Sequence, residues 1–184
     1  MKTGLSILRL AGTLFLITAL VAAALAGVNG VTQERIAAGQ QQKLQDAMSQ
    51  VLPEGENLEP VVLNTEDPQI RSAYACPQGY AVEVAVAGFG GTVTMMVGVS
   101  AEGIVTGVSV ISHTETPGLG AVAAAQTAAG EAFRQQFAGM SGQLAVTKDG
   151  GAVDAITGAT ITSRAVTQGV NAALEWVRAQ GGSK

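Results

Sequence analysis

At 184 residues the chain has room for one domain and something small beside it, because domains cluster at roughly 100 to 150 residues. Ten Lys and Arg against fourteen Asp and Glu give a formal net charge of −4, and no basic run or interleaved aromatic patch is present, which argues against a nucleic-acid partner. Cys76 stands alone, so a single chain can build neither an internal disulfide nor a cysteine-ligated iron–sulfur or zinc centre.

Leu10 to Val28 is a run of 19 residues without a charge. As a helix it would span about 28 Å, enough for the hydrocarbon core of a bilayer. A cleaved signal peptide is the competing reading, with Lys2 and Arg9 as basic flank and Ala24-Leu25-Ala26 as cleavage pattern. The run exceeds the roughly 7 to 15 apolar residues usual for such a peptide, so an uncleaved anchor is expected. Lys2 and Arg9 precede the span, which places the N-terminus in the cytoplasm. The expected location is the cell inner (cytoplasmic) membrane, single-pass, with the soluble domain on the outer, periplasmic side. Eight basic residues then face fourteen acidic ones on that side, a formal net charge of −6.

Thr32 to Leu52 reads as a polar helix with a thin apolar stripe of Ile36, Leu44, Met48 and Val51, stopped by Pro53. Glu54 to Gln69 reads as a loop with a possible strand at Val61 to Leu63. From Tyr80 the pattern turns to strands: Ala81 to Ala87, Thr92 to Val99 and Ile104 to Ile111, joined by the turns Gly88-Phe89-Gly90-Gly91 and Ser100-Ala101-Glu102-Gly103. The polar loop Ser112 to Gly120 leads to a helix expected over Ala121 to Phe137. Gln143 to Thr147 and Ala152 to Ile156 suggest a last pair of short strands around Lys148-Asp149-Gly150-Gly151. Ala165, Val166, Val170, Ala173, Leu174 and Val177 recur at helical spacing, so a closing helix runs from Ile161 to about Arg178. The expected class is α+β: a single N-terminal transmembrane helix (1–30), a helical and irregular linker region (31–78), and a domain of antiparallel sheet packed with helices (79–180).

Three places hold the chemistry. Asp154 to Ser163 is small and hydroxyl-rich and opens the last helix, where free backbone N–H groups can receive a phosphate; Thr160, Thr162 and Ser163 are all competent caps. His113 and Glu115 share the polar loop, but no Gly-x-Ser-x-Gly elbow accompanies them and no third or fourth metal ligand stands at a usual spacing. No catalytic residue and no metal site is therefore expected, and His113 alone reads as a loop residue bonding nearby backbone. Gly118 and Gly120 bracket Leu119 where backbone could approach a flat ligand, or serve turn chemistry alone. Lys148 is either a solvated turn charge or a cation near a phosphate or an electron-rich ring.

Taken in order behind one anchor, Gly88-Phe89-Gly90-Gly91, His113-Thr114-Glu115-Thr116-Pro117-Gly118-Leu119-Gly120 and Asp154-Ala155-Ile156-Thr157-Gly158-Ala159-Thr160-Ile161-Thr162 resemble the FMN-binding domain proteins. Within them the G subunits of Rnf-type electron transport complexes are the most similar group, and the C-type subunit of the sodium-translocating quinone reductase is the near alternative. The resemblance covers roughly Gly79 to Val177 plus the anchor. It implies FMN attached covalently through its phosphate to Thr160, the threonine that ends the last motif. It also implies a flavin transferase that uses FAD and reads Asp154, Thr157, Gly158 and Ala159. The loop Glu115, Thr116, Pro117, Gly118, Leu119 and Gly120 would lie at the isoalloxazine ring. His113, Lys148, Ile161 and Thr162 complete the expected cofactor-binding set, with Leu119 and Met95 or Val97 as apolar flank. The implied function is a membrane-anchored electron carrier, coupling ferredoxin/NAD electron transfer to ion translocation together with other membrane and peripheral subunits. A non-redox scaffold or flavin-sensing domain is the alternative of another class.

Overall fold

The computed structural model describes residues 2–53, 55, 58–63 and 67–181. The chain forms two compact units, residues 1–42 and 43–184.

Helix α1 (Lys2–Val51) supplies all the described structure of the first unit. Its most apolar 18-residue stretch has a mean hydropathy of 2.2 and is not buried in the protein, so it is long and apolar enough to cross a membrane. The hydroxyls there are satisfied within the helix: Thr13 donates to Leu10 O at 2.9 Å and Thr18 to Leu14 O at 3.0 Å. The polar helix expected at Thr32–Leu52 is not a separate element, since no proline separates it from the apolar run. Pro53 does end it, as expected.

The second unit is built on five antiparallel strands in the order β1 (Glu59–Pro60), β2 (Ile70–Cys76), β3 (Gly79–Ala87), β4 (Thr92–Ser100) and β5 (Val105–Ser112). The three expected strands are present, with ends moved by one or two residues. β2 is an addition to them. Its Arg71, Ser72 and small alanines hide the period-two pattern, and the pairing with β3 (Ala73 opposite Val82, Cys76 opposite Gly79) holds it in the sheet. The strand expected at Val61–Leu63 falls instead at Glu59–Pro60, although Val61 N–H still donates to Ala73 O at 2.8 Å. The segment 31–78, expected as linker, thus contains two strands of the sheet.

Both faces of the sheet are covered, which is why Thr92 to Val99 reads as an almost unbroken apolar run rather than a clean alternation. On one face Val82, Val84, Val93, Met95, Val97 and Val99 pack with Val166, Val170, Ala173 and Leu174 of α3 (Thr160–Gly181) and with Phe133 and Phe137. On the other, Ala81 and Met96 pack with Ala47, Val51 and Leu52 from the end of α1. Gly98 and Gly107 stand opposite each other on β4 and β5; a side chain at Gly98 would run into the backbone of Val51, and one at Gly107 would press closely on it. Thr106 Oγ1 donates to Val51 O at 2.6 Å, and Ser109 Oγ to Gln50 Oε1 at 2.8 Å.

Two expectations are corrected between β5 and α3. The helix at Ala121–Phe137 is broken into a 3₁₀ turn, Gly120–Ala124, and a short helix α2, Ala128–Gln135. Ala125 is extended and the Thr127 side chain accepts from Gly130 N–H at 3.4 Å, so a threonine cap restarts the helix where the apolar periodicity ran on. The hairpin expected around Lys148–Gly151 is absent. Val146 and Val153 form a parallel bridge, and a 3₁₀ turn, Thr147–Asp149, bulges between them, with Gly150 at φ 83° closing it. Antiparallel strands joined by a tight turn would have to run in opposite directions, and here the two segments do not.

Candidate functional site

The start of α3 sorts three similar hydroxyls into three different roles. Ser163 Oγ accepts from Ile156 N–H at 2.9 Å and donates to Ala159 O at 3.0 Å, so it fastens the preceding turn. Thr162 Oγ1 is buried and donates to Glu115 Oε2 at 2.5 Å. Thr160 is the first residue of the helix, and its hydroxyl accepts from Lys148 Nζ at 3.2 Å. Thr162 and Ser163 therefore do not cap the helix, as their chemistry had allowed. The first backbone bond into the new helix runs from Ser163 N–H to Ala159 O at 3.0 Å. By helix geometry the amides of Thr160, Ile161 and Thr162 precede it and have no partner one turn back.

Gly158, at φ 77°, makes the left-handed corner that delivers the chain to this helix, and a side chain there would be strained. Opposite, Gly120 approaches so closely that a Cβ would meet Glu115 Oε2 and Thr162 Oγ1. Glu115 is only 6% exposed, and its other oxygen accepts from Gly90 N–H at 2.9 Å. One carboxylate thus joins the β3–β4 turn, the polar loop and α3.

These elements enclose a cleft of about 330 Å³ lined by Phe89, Thr116, Leu119, Lys148, Thr160 and Ile161, with Glu115, Gly120, Gly158, Ala159 and Thr162 completing its wall. Phe89, Leu119 and Ile161 are 69%, 44% and 50% exposed, an apolar rim around a helix start and a cation. Beside Lys148 in the chain stands an ion pair. Asp149 receives Arg164 Nε and Nη2 at 2.6 Å each, and this hydrogen-bonded pairing pulls the Asp149 carboxyl below its ordinary pKa and raises that of Arg164.

Ten of the residues proposed from sequence come together here: Glu115, Thr116, Leu119, Gly120, Lys148, Gly158, Ala159, Thr160, Ile161 and Thr162. Gly118, Asp154 and Thr157 line a separate cleft of about 580 Å³ with Val122, Phe133 and Gln136, and that cleft has no cation in its wall. Gln136 holds the Asp154 backbone there, accepting its N–H at 2.7 Å and donating to its C=O at 3.2 Å. His113 lines neither; its Nδ1 accepts from Glu115 N–H at 3.2 Å, the local backbone role that its position suggested. Met95 and Val97 are fully buried between sheet and α3 and cannot flank a ligand in the cleft. Phe89, part of the first motif but expected only in a turn, also lines the cleft; a large aromatic between glycines was the available signal. Asp149 and Arg164 were missed, because their contact bridges a turn and a helix.

Residues 1–51 match the RnfG N-terminal region family, and residues 88–175 match the FMN-binding domain family. The G subunit of an ion-translocating oxidoreductase complex from Methanosarcina acetivorans is 33% identical over 181 residues, covering 92% of this chain and 94% of the relative. The chain belongs to the RnfG family. The G subunit of the Na(+)-translocating ferredoxin:NAD(+) oxidoreductase complex of Acetobacterium woodii is 36% identical over 88% of this chain and 87% of its own length. The G subunit of the proton-translocating ferredoxin:NAD(+) oxidoreductase complex of Clostridium ljungdahlii is 41% identical over 60% of this chain and 62% of its own. RnfG membership makes the chain a flavoprotein component of a redox enzyme complex, with FMN as its cofactor. The cleft fits that cofactor. Its volume lies within the range of small-molecule sites, its helix start and ammonium suit a phosphate, and its exposed apolar rim suits a flat ring.

Proposed function

We propose that this member of the RnfG family carries FMN in the cleft at the start of α3, joined by a phosphoester to Thr160, and passes electrons within its complex. The observation that carries the reading is the Thr160 hydroxyl itself. Thr160 and Thr162 both line the cleft, but of the three hydroxyls opening α3 the one with an ammonium 3.2 Å away is that of Thr160, while those of Thr162 and Ser163 donate to Glu115 and to Ala159 O. The N–H groups of Thr160, Ile161 and Thr162 and Lys148 would hold the phosphate, and Phe89, Leu119 and Ile161 would flank the ring. FMN supplies reversible one- and two-electron transfer; the protein contributes position and electrostatics.

In this reading α1 is a single-pass anchor in the cytoplasmic membrane with the second unit on the outer side. The partners are the other membrane and peripheral Rnf-type subunits, with ferredoxin and NAD as the couple that two relatives' names give. A flavin transferase would install FMN, and exposed Thr157 and Asp154, facing the second cleft, are available for it to read. A cofactor that is exported and only loosely held would be diluted away, which favours a covalent link.

Denaturing electrophoresis of the full chain, produced with its transferase, tests the attachment. A band fluorescing under ultraviolet light is expected in the parent and absent from Thr160→Ala. Fluorescence persisting in Thr160→Ala would defeat the assignment. Alkaline extraction of membranes tests the anchor: the chain is expected in the pellet, and removal of residues 1–30 is expected to release it.

A further inference from the structure

Lys148 is a long side chain on a surface turn, and nothing in its own sequence neighbourhood would hold it still. Its four-carbon stem has several rotatable bonds, and a free lysine there would be a mobile, hydrated charge. The turn is what is fixed. Asp149 N–H closes it on Val146 O at 2.8 Å and Gly150 N–H on Thr147 O at 3.1 Å. Asp149 then receives two hydrogen bonds from Arg164, which stands four residues after Thr160 and so on the same face of α3. The contact is two by two: Lys148 meets Thr160 while Asp149 meets Arg164.

The charges in this square do not balance evenly. Asp149 commits its carboxylate to Arg164, and the buried Glu115 commits its own to Gly90 N–H and the Thr162 hydroxyl. Among the described residues Lys148 makes no salt bridge, and its hydrogen bond goes to an uncharged hydroxyl. In a chain of net charge −4, a cation is thus parked over Thr160 without a carboxylate to neutralise it. We propose that Asp149 and Arg164 are positioning residues that hold Lys148 over Thr160, so that its ammonium is a fixed counter-charge for a phosphate ester carried there. The Asp149–Arg164 pair is exposed and contributes little to stability, so its geometry is the property that matters. The inference rests on the reading of Thr160 as the attachment point.

The test uses the full chain loaded with FMN, and reads the phosphorus resonance of the ester and the flavin midpoint potential. Lys148→Gln is expected to shift the resonance and lower the potential, and Lys148→Arg to restore most of both. Arg164→Gln is expected to move both in the same direction as Lys148→Gln, and to add nothing in the Lys148→Gln background, since a positioning residue acts only through the group that it positions. Asp149→Asn, which keeps the side chain's shape, is expected to match Arg164→Gln and carries the test if that variant fails to accumulate. Parent values in Arg164→Gln and Asp149→Asn, or effects that add to those of Lys148→Gln, would overturn the positioning role alone. Peptide mass analysis of the parent keeps the two claims apart: flavin on a residue other than Thr160 would overturn the attachment reading and this inference together.

Discussion

The carboxylate of Glu115 and the hydroxyl of Thr162, 47 residues apart in the chain, meet at 2.5 Å in the buried seam between the glycine-bearing loop and α3. With Gly90 N–H on its second oxygen, Glu115 is satisfied on both sides and ties three segments at one point. Thr162→Val removes one partner and leaves part of a buried carboxylate unsatisfied, at a cost of about 1–3 kcal/mol. Urea unfolding monitored by far-ultraviolet circular dichroism should show a lower midpoint with an unchanged slope.

Thr160→Ala should behave oppositely. The hydroxyl is half-buried at a cleft edge and its bond to Lys148 is exposed, so stability should stay within about 0.5 kcal/mol of the parent. Covalent fluorescence should vanish in Thr160→Ala and persist in Thr162→Val. The same electrophoresis gel reads both, and equal loss in the two variants would show that the two hydroxyls cannot be told apart by this readout and would defeat the assignment to Thr160 alone.

Gly120→Ala adds one methyl where Glu115 Oε2 and Thr162 Oγ1 already sit. The loop must move or the buried hydrogen bond must break, and overpacking of this kind costs about 1–3 kcal/mol. The melting temperature should fall, and cofactor loading should fall with it because the loop forms a wall of the cleft.

The Asp149–Arg164 clamp sets a pH response. Hydrogen bonding from Arg164 depresses the Asp149 pKa in the folded state, and Arg164, raised by the same bond, stays protonated throughout. A depressed carboxyl contributes above its unfolded pKa and loses that contribution as pH falls through the folded value. The clamp should therefore survive mild acid and open only below the ordinary carboxylate range. The Arg164 side-chain N–H resonances should report this as a downfield-to-exchange-averaged transition, and Asp149→Asn should show the open form at neutral pH.

Where hydrophobic period and turn chemistry agree, the fold was readable from the amino-acid order. β3, β4 and β5 and the helix from Thr160 follow from branched apolar residues at spacings of two or of three and four. Elements fixed by a neighbouring strand, a cap or a bridge that the hydrophobic period does not show were not. β2 exists because β3 lies beside it, α2 begins where Thr127 caps it, and the turn at Lys148 is shaped by a parallel bridge that no hairpin rule anticipates. The site divides along the same line. Thr160, Gly158 and Glu115 stand in contiguous motifs, whereas Phe89, Asp149 and Arg164 matter only once the β3–β4 turn, the 147–149 turn and α3 have been brought together.

The bare patch made by Gly98 and Gly107 has one more consequence. Because Val51 seats there and Thr106 grips its carbonyl, the last turns of α1 are a wall of the folded body and no mere stalk leading to it. Trimming the chain back to Pro53 would strip Ala47, Val51 and Leu52 from the sheet and leave Ala81 and Met96 facing water. A soluble, redox-ready fragment must keep Lys43 onward, and a protease that cuts just after Leu52 should yield a sticky remnant that aggregates.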